Sequence, residues 1–110
     1  YDLRFPELYR DLADEGVSLV LVPSAWPYPR VEHWRTLPRS RAIENLAYVA
    51  AVNGSGEMDG DRLVGRSTVY DPWGTPIATC DDDPELVTAE LSPSRVESVR
   101  EEFPALRDRR

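Results

Sequence analysis

The sequence predicts a layered α/β or α+β fold, in which a helix, a strand and a second helix precede several strands and a closing helix. Residues 5–15 and 31–47 carry apolar side chains at helical spacing. The run VSLVLVP at 17–23 is rich in Val and Leu and ends at a Pro, which is typical of a buried strand. After residue 47, short β-compatible runs alternate with turns that contain Gly or Pro.

The first two helices have recognisable boundaries. Pro6 suits the first turn of a helix over 5–15, and Gly16 suits the position just after its end. The second helix, over 31–47, contains Pro38, which lacks a backbone N–H. We therefore expect Pro38 to kink this helix or to split it in two.

The second half of the chain is predicted to be mostly strands. The polar, Gly-rich stretch at 54–62 is predicted to be a loop. A closing helix is expected to begin with Ser92 as its N-cap and Pro93 at its first position, and residues 105–110 are expected to form a tail. Val96, Val99 and Phe103 would form the buried face of this helix. The predicted strands are YVAAVN (48–53), RSTVYDP (66–72), PIATC (76–80) and LVTAEL (86–91), the last with Val87, Ala89 and Leu91 on one face.

Composition narrows the class of protein. A chain of 110 residues corresponds to one domain, and none of its apolar runs approaches the roughly 20 residues of a membrane span. Its 20 acidic and 13 basic residues give a net charge of −7, which argues against nucleic-acid binding. Every basic residue is Arg. Either adaptation to high salt or a GC-rich genome would explain the absence of Lys. The single Cys80 allows no intrachain disulfide and fits a reducing, cytoplasmic location.

Several motifs occur together in one order. They are YDLRFPELYR, PSAWP, HW, RSRAIEN, DPWG and the closing RVESVREEFPALRDRR. In order and spacing they resemble the nitrilase, or carbon-nitrogen hydrolase, superfamily, and within it the Nit/omega-amidase-like branch. The resemblance implies that residues 1–110 are the C-terminal part of a single domain, namely the second half of an αββα four-layer sandwich. Residues 5–15 and 31–47 would then cover one sheet, and the remaining strands would belong mainly to the other.

The resemblance also implies a catalytic mechanism. In the superfamily a Cys immediately precedes the Y-D-x-R-F-P-E stretch and attacks the substrate, while a Glu acts as general base and a Lys stabilises the oxyanion. All three would lie upstream of Tyr1, so residues 1–110 contain no catalytic residue and would be inactive alone. The backbone N–H of Tyr1 would help to bind the oxyanion. No cofactor and no metal is implied.

Two side chains are candidates for binding substrate. Arg4 stands where relatives place an Arg near the pocket, and its alternative role is an internal salt bridge to Asp2 or Glu7. Trp26 stands where the superfamily lines the pocket, and its alternative role is plain core packing. These readings stay open from the sequence alone.

Other polar residues are expected to be structural. His33, the only histidine, precedes Trp34 at the start of a helix and is expected to pack or cap. Glu44 and Asn45 are expected to hold neighbouring loops through hydrogen bonds. Cys80 is followed by three Asp residues, which would raise its pKa and make it a poor nucleophile.

Two classes of function remain. The first is part of a thiol hydrolase that acts on a small amide or nitrile, with a homodimer formed through residues 5–15, 31–47 and 93–110. The second is a stand-alone, non-catalytic half-fold that serves as a dimerisation or partner-binding module. The sequence encoded upstream of Tyr1 would separate them.

Overall fold

A computed structural model describes residues 1–109 and shows a mixed arrangement of helices and strands, which confirms the predicted fold class. Two 3-10 turns, at Asp2–Arg4 and Tyr28–Arg30, precede the first two long helices. The helices are α1 (Pro6–Asp14), α2 (Val31–Asn45), α3 (Pro93–Glu102) and α4 (Ala105–Asp108). The strands are β1 (Leu19–Ser24), β2 (Tyr48–Asn53), β3 (Ser55–Met58), β4 (Asp61–Val64), β5 (Thr68–Tyr70) and β6 (Pro76–Thr79).

Four strands form the main sheet, in the order β1-β2-β5-β6. β1 and β2 are parallel, and α2 provides the connection between them. β5 and β6 continue the sheet with antiparallel pairing. The expectation that the strands after α2 would lie mainly in a different sheet is wrong, because β2, β5 and β6 all extend the sheet that begins with β1.

The two faces of this sheet differ in what covers them. Val22, Val49 and Tyr70 belong to the core that also contains Tyr9 of α1 and Trp34 of α2. Because strand side chains alternate between faces, the opposite face carries the residues between them. There Leu21 is 67% exposed and Val52 is 55% exposed. One face is therefore a packed core, and the other leaves apolar side chains uncovered in residues 1–109.

The predicted loop at 54–62 is wrong, because β3 and β4 form a two-stranded hairpin there. Asp59 and Gly60 connect the strands, and both have positive φ angles, of 52° and 86°. An Asp-Gly pair with this geometry is a favoured two-residue hairpin turn. The high polarity of the segment obscured that signal.

The predicted strand at 86–91 is also wrong. The segment makes no strand pairing within residues 1–109, and Leu86 is 90% exposed. Alternation of apolar residues indicates a half-buried strand only where a neighbouring strand offers hydrogen bonds. The expected tail contains the short helix α4, and Phe103 is exposed, although Val96 and Val99 are buried as expected.

Helix α2 departs from its predicted form in two ways. It continues through Pro38 as one helix, with the Pro ring buried, so the expected split does not occur. It ends at Asn45 because Leu46 adopts a left-handed conformation, with φ of 49° and ψ of 50°. A non-glycine residue is costly there, and the buried Leu46 side chain compensates for that cost.

Within residues 1–109, no helix is long and apolar enough to cross a membrane.

Candidate functional site

Tyr1, Arg4 and Trp26, the three residues singled out from the sequence, line one cleft. The cleft has a volume of about 360 Å³, and Ala25, Pro27 and Arg30 complete its lining. It lies where the chain leaves β1, at the carboxyl end of the parallel β1–β2 pair. Ligands commonly bind at such edges of α/β sheets.

Trp26 is held by polar contacts on both its backbone and its ring. The Asn53 side chain accepts a hydrogen bond from the Trp26 backbone N–H at 2.6 Å and donates one to the Trp26 carbonyl at 3.2 Å. The indole Nε1–H donates to the Arg30 carbonyl at 2.7 Å. Trp26 is only 6% exposed, so it belongs to the core and also lines the cleft.

Arg4 extends over the indole ring. Its guanidinium carbon lies 5.4 Å from the centroid of the Trp26 ring, within the range of a cation–π contact. Its Nη1 and Nη2 atoms both lie 3.3 Å from Nδ1 of His33. Among residues 1–109, Arg4 makes no ion pair with Asp2 or Glu7. Within residues 1–109, a cation is therefore placed at the cleft without an ion-pair partner.

His33 does not pack or cap as expected. Its side chain is exposed, on the first turn of α2, and contacts the Arg4 guanidinium. Since arginine can only donate hydrogen bonds, Nδ1 of His33 is the acceptor in this contact. His33 thus belongs to the surroundings of the cleft.

A side chain of α2 binds the turn that follows Tyr1. The Arg4 N–H donates to the Tyr1 carbonyl at 3.0 Å, which closes the turn. Arg41 of α2 donates twice to the Leu3 carbonyl, from Nη2 at 2.6 Å and from Nε at 3.2 Å. The turn is therefore tied to a helix that packs on the sheet.

The side chains of Glu44 and Asn45 make structural contacts, but these lie within α2 and not with the neighbouring loops that the sequence suggested. Glu44 accepts from Nη1 of Arg41 at 3.0 Å, and the buried Asn45 side chain donates to the Arg41 carbonyl at 3.0 Å. Both residues therefore support Arg41.

A second polar cluster connects the segment after β6 to the turn beside the cleft. The Tyr28 hydroxyl donates to Asp82 at 2.6 Å, and Nε of Arg66 donates to the same carboxylate at 2.9 Å. The hydrogen bond from Tyr28, followed by that from Arg66, lowers the pKa of Asp82. The same bond to Asp82 raises the pKa of Tyr28. Of the three Asp residues that follow Cys80, Asp82 therefore accepts hydrogen bonds from other parts of the chain.

Cys80 lies outside the cleft lined by Tyr1, Arg4 and Trp26. Its pKa is raised, first by partial burial and then by Glu85 and Asp81. A thiol in such surroundings is a weak nucleophile at neutral pH. Nor do residues 1–109 contain a group of three or more His, Cys, Asp or Glu side chains that could hold a metal ion.

Sequence reasoning missed Asn53 and Arg41. Asn53 ends β2 directly before Gly54, a position where a polar side chain can reach the end of the neighbouring parallel strand. Arg41 lies in the middle of a helix among other Arg residues, and no sequence signal distinguishes its burial.

Comparison with known proteins identifies the class to which this fold and cleft belong. Residues 1–101 match the carbon-nitrogen hydrolase family. This chain belongs to that family, so the resemblance noted from its motifs is confirmed.

Several named relatives are similar over the whole chain. It is 42% identical over 110 residues to a 2-oxoglutaramate amidase of Paenarthrobacter nicotinovorans, covering 100% of this chain and 37% of the relative. It is 40% identical over 111 residues to a deaminated glutathione amidase of Synechocystis, covering 99% of this chain and 41% of the relative. The chain thus spans about two fifths of the length of these curated relatives.

Solved structures show the same architecture. The NitFhit protein of C. elegans superposes with a TM-score of 0.95 at 39% identity, covering 100% of this chain and 27% of that protein. Nit3 of Saccharomyces cerevisiae, a member of branch 10 of the nitrilase superfamily, gives a TM-score of 0.91 at 36% identity, with coverages of 100% and 41%.

Proposed function

We propose that residues 1–110 are the C-terminal part of an amidase-type carbon-nitrogen hydrolase and supply the wall of its substrate pocket. The observation that carries this proposal is the cleft in which Tyr1, Arg4 and Trp26 meet. The named amidase relatives, which match essentially the whole chain, support the reaction class. The full-length protein would act in the cytoplasm, without a cofactor, on a small amide or nitrile.

The chemistry divides between this chain and the segment before it. The nucleophilic Cys would directly precede Tyr1, and the general base Glu and the Lys would lie further upstream. After thiolate attack on the amide carbon, the Tyr1 backbone N–H would donate to the oxyanion. Loss of one comparable donor elsewhere costs about 2.7–4 kcal/mol of transition-state stabilisation. Residues 1–110 contain no Lys, so no turnover is expected from them alone.

Arg4 and Trp26 would set the preference for substrate. Arg4 forms no ion pair within residues 1–109, so its guanidinium at the cleft suits a negatively charged group on the substrate. The indole would provide an apolar wall for the carbon chain between that group and the amide. The names of two relatives, amidases for 2-oxoglutaramate and deaminated glutathione, point to amides that also carry carboxylates. We therefore favour a small amide with a carboxylate as the substrate class.

The uncovered sheet face supports a longer domain. Leu21 of β1 and Val52 of β2 are exposed on the uncovered face of the main sheet. Soluble proteins rarely leave such apolar surface open. In the proposed domain, the second sheet of the αββα sandwich would cover it.

Ammonia release by the full-length protein tests the proposed function. Wild type should release ammonia from a small carboxylate-bearing amide, and replacement of the residue before Tyr1 by Ala should abolish that release. The matched control is Cys80→Ser, which should leave the rate unchanged. The proposal fails if the wild-type protein is folded but inactive on amides and nitriles, or if Cys80→Ser abolishes the activity.

A further inference from the structure

We infer that Arg41 is a positioning residue for the reaction, because it fixes the turn that carries both the Tyr1 N–H and Arg4. The inference rests on the proposed function. Arg41 does not line the cleft, so it would act through the Leu3 carbonyl and not by touching substrate. No catalytic role is assigned to it.

The sequence explains why the Leu3 carbonyl is available. In the 3-10 turn Asp2–Arg4, each carbonyl accepts from the N–H three residues later, as Tyr1 does from Arg4 and Asp2 does from Phe5. For Leu3 the residue three positions later is Pro6, which has no N–H. Leu3 is almost completely buried, so a donor from elsewhere must satisfy its carbonyl.

Arg41 provides that donor with a fixed geometry. Its side chain is only 6% exposed, and its planar fork contacts the Leu3 carbonyl through two nitrogens while the third contacts Glu44. The guanidinium carbon also lies 5.7 Å from the centroid of the Tyr9 ring. A buried guanidinium held from three sides cannot move without breaking several contacts. The position of the turn is therefore coupled to α2.

The coupling matters because α2 also carries His33, which contacts Arg4. Arg41 and His33 thus hold the same turn at two points, the Leu3 carbonyl and the Arg4 guanidinium. A shift of about 1 Å in a catalytic group can cost about a hundredfold in rate. Loss of the Arg41 contacts would let the Tyr1 N–H move away from the oxyanion.

A purely stabilising role is the competing explanation, and Arg10 offers a matched control for it. Arg10 of α1 donates to the Glu44 carbonyl at 3.1 Å, so it also connects to α2, but it does not contact the turn. Arg10→Ala removes one such connection and leaves the Leu3 carbonyl paired. If Arg41 contributed only to stability, its variants would lower the melting temperature and keep the kcat of wild type, as Arg10→Ala is expected to do.

The experiment measures kcat, KM and melting temperature of full-length wild type, Arg41→Lys, Arg41→Gln and Arg10→Ala with a neutral amide, whose binding does not use the Arg4 charge. We expect kcat to fall about tenfold or more in Arg41→Gln and less in Arg41→Lys, with little change in KM. Arg10→Ala should lower the melting temperature and keep kcat. If Arg41→Gln does not fold, Arg41→Lys still tests the inference.

Two results would overturn the inference. One is an Arg41→Lys protein with the kcat of wild type. The other is a kcat loss in Arg10→Ala equal to that in the Arg41 variants. A folded wild-type protein without amide hydrolysis would instead refute the proposed function, and the inference with it.

Discussion

At the scale of single residues, the contacts of Arg4 leave its positive charge at the cleft without an opposite charge among them. Its contacts are the face of an indole ring and an imidazole nitrogen, neither of which neutralises its charge. The internal salt bridge considered from the sequence would have neutralised it. Since Trp26 follows β1 and His33 lies in α2, both far from Arg4 in the sequence, the guanidinium is placed by tertiary contacts.

Arg4→Ala in the full-length protein should raise KM for carboxylate-bearing amides about ten- to a hundredfold, because a charge-assisted bond is worth about 1.5–3 kcal/mol. Neutral amides should be affected far less. The control is Arg35→Ala, which removes an exposed arginine outside this cleft. It should leave KM unchanged for both kinds of amide. An equal loss with both kinds of amide, together with a lower melting temperature, would indicate a structural role for Arg4.

At the scale of elements, the end of α2 combines an unfavourable backbone with a favourable side chain. Leu46 lies in the left-handed region and is almost completely buried. A Gly would suit the backbone better but would leave a cavity where the side chain packs. Packing therefore decides the residue at this helix end.

Two substitutions at Leu46 separate these effects. Leu46→Ala in the full-length protein should lower the free energy of unfolding by about 2–5 kcal/mol, through loss of burial. Leu46→Gly loses the same side chain but relieves the left-handed backbone, so it should be about 1 kcal/mol more stable than the Ala variant. Urea unfolding measures both. A Gly variant less stable than the Ala variant would show that the left-handed conformation does not persist.

The cluster of Tyr28, Asp82 and Arg66 ties the segment after β6 to the turn beside the cleft. Its bonds lower the pKa of Asp82 in the folded state, so they stabilise the fold only while this carboxyl is ionised. That stabilisation is present above the unfolded-state pKa of about 3.9 and is lost as the pH falls through the lower folded-state pKa.

Asp82→Asn should therefore lower the melting temperature of the full-length protein at pH 7. The difference in melting temperature between this variant and wild type should become smaller below about pH 4, because Asp82 of wild type then becomes protonated. The control is Asp83→Asn, which changes the neighbouring exposed carboxylate. Thermal unfolding followed between pH 3 and pH 7 gives the comparison. A difference that stays constant across this range would contradict the assignment of the shifted pKa to these bonds.

At the scale of the whole molecule, apolar residues remain exposed on the side of the helices as well as on the open sheet face. Ile43 of α2 and Phe103 after α3 are exposed, and the Phe103 ring lies 6.0 Å from the exposed ring of Trp73. Ile43 also packs against the turn at Gly74, where an added Cβ would lie 2.4 Å from its side chain. Parts of the segments proposed for a homodimer interface therefore lie on a common apolar surface.

We expect the full-length protein to be a homodimer in light scattering, and the double variant Ile43→Glu/Phe103→Glu to be a monomer. Charges placed in an apolar contact would have to be buried without partners. Thr88→Glu, on an exposed segment outside the proposed interface, is the control and should remain dimeric. A monomeric wild type, or a double variant that stays dimeric, would refute this interface.

The sequence by itself determined the family and most of the elements, because motifs and short-range periodicity are local properties. β2 was predicted with its observed boundaries, and the helix over 5–15 was predicted to within a residue at each end. Tyr1, Arg4 and Trp26 were chosen from motif positions, and they line one cleft. Their roles in catalysis and binding stay predictions.

Only the tertiary structure decided what depends on neighbours distant in sequence. The segment 86–91 alternates like a strand but finds no pairing partner within residues 1–109, whereas the polar hairpin of β3 and β4 closes through its Asp-Gly turn. Leu46 ends α2 because burial of its side chain outweighs the local backbone cost. The Leu3 carbonyl finds its donor 38 positions away, in Arg41. Hydrogen bonding and burial depend on which surfaces meet, and that is fixed only when the helices pack on the sheet.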